Sequence, residues 1–150
     1  MVLKVFPVKG TKKHGKFDLY TEIKKIVKEN DILPEEEDVI VISSKYISNS
    51  QGRILSHGSI KPSEKANELS KKFSLNNELS EAVIRESDFV FGGVPGFVIA
   101  SADNIMAPNA GIDKSNSQNK LILYPTNPYL VAEQIKRKFF LDYSIHVGVI

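Results

Sequence analysis

The chain has 150 residues, 41% of them hydrophobic and 25% charged, with a formal net charge of +2 and no cysteine. That balance fits one globular domain with a core of its own and argues against a disordered chain. It excludes disulfides, thiolate catalysis and cysteine-based zinc sites, and it offers no broad basic surface for nucleic acid.

The N-terminus lacks the apolar run and small-residue cleavage site of a signal peptide. No apolar stretch approaches the roughly 20 residues of a membrane helix. The expectation is a soluble cytoplasmic protein that binds neither membrane nor nucleic acid.

Residues 2–8 are apolar and read as a first strand, followed by a polar loop over 9–16. Asp18 caps a helix in which Leu19, Ile23, Ile26 and Val27 recur at helical spacing to about Asn30. Residues 39–42, VIVI, read as a short strand buried on both faces. The polar segment 43–52 behind it sits where ligand contacts are common.

Residues 62–64 start a second helix with Ala66, Leu69 and Phe73 on one face. Asn76 or Asn77 starts a third, with Leu79, Val83 and Ile84 inward. Residues 89–91 and 97–100 read as strands joined by a turn over 92–96, and 104–107 as a strand end. Residues 108–120 read as a loop and 121–124 as a strand. Asn127 and Pro128 open a fourth helix with Val131, Ile135 and Phe139 in one stripe. Lys136, Arg137 and Lys138 are read as lying at its negative end, and Phe139 and Phe140 as core. Residues 144–150 close the chain as an apolar strand. A chain ending inside such a strand reads as a fragment of a longer protein, or as a strand that stops at the surface.

Three polar segments can carry chemistry. In residues 109–116, Asp113 offers a carboxylate and Asn109, Ser115 and Asn116 offer neutral oxygens. Hard cations take such ligands, yet the same residues make ordinary turns. Residues 43–48 bring hydroxyls and a lysine behind a strand, which suits phosphate or, equally, a polar helix start. They are not a P-loop, because the required glycine spacing is missing. Residues 10–15 set Lys12 and Lys13 between glycines, as an anion cradle or as a solvated loop. His14, His57 and His146 lie far apart and form no ligand pair, and no catalytic His-Glu-x-x-His or Gly-x-Ser-x-Gly motif is present.

In order, VFPVKG at 5–10, DVIVISS at 38–44, SNSQGRI at 48–54, KPSEKA at 61–66, AVIRES at 82–87, NAGIDKSN at 109–116 and VGVI at 147–150 resemble the coenzyme F420-0:gamma-glutamyl ligase family. NAGIDKSN is the most specific of these blocks. The resemblance spans the whole chain and about the first half of the family's enzyme. It implies an α+β fold, a mixed sheet with about four helices and an intertwined homodimer. It implies an enzyme that adds L-glutamate to coenzyme F420-0 with GTP and a divalent metal, magnesium or manganese.

Carried over residue by residue, Asp113 matches a metal-binding aspartate and Asn116 a nucleotide contact. Ser44 and Lys45 fall where the family contacts nucleotide, and Thr11, Lys12, Lys13 and His14 match a loop that wraps it. Two departures stand out. Asn49 replaces a nucleotide-contacting lysine, and the aspartate and threonine that complete the family's metal site would follow Ile150. The expectations are a ligase domain inactive in isolation or a non-catalytic nucleotide-binding or assembly module, with the three polar segments meeting in space.

Overall fold

The computed structural model describes residues 3–13, 15–56, 58–114 and 120–150. His14, His57 and Asn116 therefore lie outside the described residues. The fold is α+β, and the chain divides into two compact units. One comprises residues up to 52 together with 127–150, and the other residues 53–126. No helix among the described residues is long and apolar enough to cross a membrane.

The first unit holds α1 (Leu19–Glu29), β1 (Val39–Ile40), α2 (Ser44–Gln51), α5 (Pro128–Tyr143) and β7 (Gly148–Val149). Asp18 starts α1 by accepting a 2.7 Å hydrogen bond from the Thr21 N–H. β1 and β7 run parallel, Val39 opposite Gly148 and Ile40 opposite Val149. The pairing continues beyond the strands, where Ile42 N–H donates to the Ile150 carbonyl at 2.7 Å. The core gathers Leu19, Tyr20, Ile23, Ile47, Ile135 and Phe139. Phe139 is fully buried, and Tyr20 meets its ring edge-on at 5.3 Å between centroids. Edge-to-face pairs of this kind add directional attraction to the area they bury.

Several expectations for this unit change. Residues 3–8 form no strand: Pro7 has no N–H to donate, and Leu3, Val5 and Phe6 are largely exposed. Segment 43–52, read as a phosphate-binding segment or equally as a polar helix start, is mostly the helix α2, whose Ile47, Ser48 and Ser50 are buried. α5 extends to Tyr143, so Lys136, Arg137 and Lys138 occupy its middle rather than its last turn. Phe140 lies on the outward side of α5, 46% exposed, and is not core. Asn127 precedes α5 in a left-handed conformation and makes no side-chain cap bond.

The second unit holds β2 (Ile54–Ser56), α3 (Glu64–Phe73), α4 (Asn77–Glu86), β3 (Phe89–Val94), β4 (Phe97–Ala102), β5 (Ile105–Pro108) and β6 (Lys120–Ile122). β3, β4 and β5 form an antiparallel meander, and β2 pairs antiparallel with β6. Ser63 caps α3 and Asn76 caps α4, each accepting from first-turn N–H groups. The hairpin between β3 and β4 is tighter than the glycines indicate. Gly92 and Gly93 belong to β3, with a register shift between Val90 and Gly92 that absorbs the Gly92 φ of 144°. Val98 and Ala100 face inward against Leu79, Ala82 and Val83 of α4.

Candidate functional site

Each unit presents one part of the candidate chemistry. In the first, Glu22 lies on the buried side of α1, only 6% exposed. Its carboxylate accepts a hydrogen bond from the Thr11 hydroxyl. Lys13 Nζ approaches the same carboxylate at 2.8 Å. The Lys13 ammonium, then the Thr11 hydroxyl, hold the Glu22 pKa below its ordinary 4.5 despite burial. In return, the hydrogen bond to Glu22 raises the Lys13 pKa.

The other side of this loop rests on α2. A Cβ on Gly10 would stand 2.8 Å from Tyr46 Cε2, so the glycine serves a close approach of backbone to ring. The Tyr46 hydroxyl reaches the Thr11 carbonyl at 3.5 Å, and its ring lies 5.2 Å from that of Phe17. Burial is the main cause that raises the Tyr46 pKa, with the Glu22 charge second.

The structure thus brings Thr11 against the helix that carries Ser44 and Lys45, and Lys13 against α1. Ser44 is exposed and Lys45 half-buried, both in the first turn of α2, where helix geometry turns backbone N–H groups outward. The Ser43 side chain makes no capping bond there. Lys12 is exposed. Asn49, three residues further along α2 than Tyr46, turns inward: its side-chain oxygen is buried without a hydrogen bond among the described residues.

In the second unit, Asp113 is half-buried and pairs with Ile122 through two backbone hydrogen bonds of 2.9 Å. The turn before it is unusual. Asn109, Ala110 and Gly111 all have positive φ, 50°, 53° and 71°. Glycine and asparagine tolerate this region, whereas a left-handed alanine is strained by roughly 1–2 kcal/mol. The Asn109 Oδ1 accepts from the Val98 N–H at 3.1 Å, which ties the turn to β4. Ala110 is buried and Gly111 backs onto the Tyr124 ring, so the surrounding contacts enforce the strained shape. Strain kept in place this way clusters at functional segments.

A divalent metal of the magnesium or manganese kind needs several oxygen ligands. No three acidic or histidine side chains gather into a cation site among the described residues. Asp113 by itself does not fit a complete metal centre, so it can offer one oxygen ligand of such a centre and no more.

Reading the sequence missed Glu22 and Tyr46. A signal for Glu22 existed: it falls three residues after Leu19 and four before Ile26, on the apolar stripe of α1, where a carboxylate must find a partner. No pattern in the sequence distinguishes Tyr46.

Residues 12–150 match the family described as F420-0:Gamma-glutamyl ligase. The chain is 31% identical over 160 residues to the coenzyme F420:L-glutamate ligase of Archaeoglobus fulgidus, covering 100% of this chain and 59% of the relative. It is 32% identical over 117 residues to the protein of that name from Methanococcus maripaludis, covering 77% of this chain and 47% of the relative. The Methanopyrus kandleri protein of that name is 29% identical over 118 residues, with 77% and 47% covered. The chain therefore spans about half to three-fifths of the length of these relatives. With 139 consecutive positions matched, it belongs to the F420-0:gamma-glutamyl ligase family.

Proposed function

We propose that this chain supplies the nucleotide-binding portion of a GTP-dependent ligase that adds L-glutamate to coenzyme F420-0 or a related carboxylate. The observation that carries the reading is the family match over residues 12–150, which takes in Lys12, Lys13, α2 and the Asp113 turn. Thr11, Lys12, Lys13 and His14 form the nucleotide loop. Ser44 and Lys45 contribute from α2, and Asn116 adds a further nucleotide contact. Asp113 provides one ligand of a magnesium or manganese ion.

The reaction proceeds in two balanced transfers. A substrate carboxylate oxygen attacks the γ-phosphorus of GTP, and GDP leaves. The glutamate amine then attacks the acyl carbon, loses a proton and expels inorganic phosphate, leaving an amide. Positive charge at the nucleotide loop, supplied by Lys12, favours the first transfer by opposing charge on the phosphoryl oxygens. The working protein is a cytoplasmic homodimer in this account.

Asn49 supports a second reading. Its amide is neutral and turned inward, so it supplies no charge to phosphate. In that reading the chain is a non-catalytic nucleotide-binding or assembly module. The two share GTP binding and differ in ligation, which is assayed with GTP, L-glutamate, coenzyme F420-0 and either metal for the purified chain alone and for the chain mixed with the remaining portion of a longer relative. The ligase-portion reading predicts GTP binding with no ligation by this chain alone and ligation in the mixture; the module reading predicts no ligation in either. Robust ligation by the chain alone would overturn the inactivity, and absence of GTP binding would overturn both readings.

A further inference from the structure

We infer that Glu22 is the positioning residue of the lysine loop. From the buried side of α1 it holds Thr11 and Lys13, so that Lys13 braces the loop instead of contacting a ligand. The identity of that ligand as a nucleotide rests on the function proposed above; the bracing does not.

The sequence presents Lys12 and Lys13 as a pair of equivalent cations. The structure makes them unequal. Lys12 is exposed, whereas the Lys13 side chain is one-third exposed and its Nζ stands 2.8 Å from a carboxylate that is itself almost wholly buried. A buried carboxylate is poorly solvated and depends on its partners. If Lys13 swung out to a phosphate, Glu22 would keep, among the described residues, the Thr11 hydroxyl as its direct partner in place of a full positive charge. An incoming anion would meet the same problem, since Glu22 offsets the Lys13 charge. Lys12 shows no such constraint among the described residues and is the lysine of this pair left for an anion.

Two further contacts fix the loop where Glu22 holds it. Gly10 lies against the Tyr46 ring, closer than any side chain permits, and the Tyr46 hydroxyl reaches the Thr11 carbonyl. Glu22 on α1 and Tyr46 on α2 therefore grip the same four-residue stretch from two helices. A loop gripped this way presents its remaining cation with little conformational entropy left to lose.

The test has two arms on the purified chain. Without nucleotide, the backbone order parameters of residues 11–13 from amide relaxation are compared among wild type, Glu22→Gln and Glu22→Asp, with the melting temperature read for each. Loss of the charged contacts lowers them in Glu22→Gln into the flexible range, below about 0.6. Glu22→Asp, which keeps the charge, recovers part of that order. Unchanged order in folded Glu22→Gln, or no recovery in Glu22→Asp, would overturn the positioning role.

The second arm measures the Kd for magnesium GTP in Glu22→Gln, Lys13→Met and the double variant. Bracing predicts that the double variant binds no more weakly than either single one, because both remove the same contact. An additive loss would show that Lys13 touches the nucleotide and would overturn the inference. If wild type binds no GTP while Glu22→Gln still loosens the loop, the nucleotide reading fails and the positioning role stands.

Discussion

Glu81 holds the start of a neighbouring helix: its buried carboxylate accepts from both the backbone N–H of Ser63, at 2.8 Å, and the Ser63 hydroxyl, at 2.6 Å. Ser63 in turn caps α3 by accepting from the Ala66 N–H at 3.3 Å. Arg85, one turn along α4, donates to the other carboxylate oxygen at 2.7 Å. These hydrogen bonds, Ser63 first, lower the Glu81 pKa from 4.5 to about 2.

The sign of the resulting pH dependence is set by that lowering. The folded state holds the Glu81 charge more tightly than the unfolded chain does. Its contribution is therefore complete above pH 4.5 and is lost as pH falls from there towards about 2. Glu81→Gln should destabilise the chain by about 1–3 kcal/mol at neutral pH. It should also flatten the stability curve in that acid window, as read by urea unfolding at several pH values.

Gly111→Ala should disturb the turn that carries Asp113. The added Cβ would stand 2.5 Å from Tyr124 Cδ2, at a φ of 71° that side chains rarely adopt. Both effects act in the same direction and should cost about 1–3 kcal/mol. Urea unfolding measures the loss, and the amide signals of residues 109–113 should shift more than those of α5.

Phe139→Ala tests the core of the first unit. The ring is fully buried, edge-on to Tyr20 and 5.7 Å from Tyr143. Truncation should cost about 3–5 kcal/mol. Phe140→Ala, at the exposed neighbouring position, should stay within about 0.5 kcal/mol of wild type.

Asp113→Asn addresses the proposed metal ligand directly. A neutral amide opposes a dication's charge less well than a carboxylate. Manganese affinity in the presence of GTP, followed by electron paramagnetic resonance, should fall by roughly tenfold or more. Equal affinity in wild type and variant would remove Asp113 from the metal site.

Much of the helical structure was legible in the sequence because caps and apolar stripes agreed. Asp18, Ser63 and Asn76 each cap the helix that their position indicated. α2 was legible only as an equal alternative: Ser44, Ser48, Asn49 and Ser50 favour turns intrinsically, and burial of Ile47 and Ser48 overrides that preference. Residues 3–8 failed in the opposite way, since an apolar run becomes a strand only when a neighbour supplies hydrogen bonds. For the candidate site, residue types marked Lys12, Lys13 and Asp113, but not how each is held. The Glu22 grip on Thr11 and Lys13 joins residues about ten positions apart, and no local pattern encodes it. Lys12 and Lys13 consequently look alike in the sequence and differ in the fold.

The central claim is that the first unit carries a nucleotide site at the lysine loop and the start of α2. A titration of the purified chain with a fluorescent GTP analogue and magnesium tests it most directly. Binding should saturate and weaken by about tenfold in Lys12→Met, as expected for loss of a charged phosphate contact. Failure to saturate, or equal affinity in Lys12→Met and wild type, would contradict the claim.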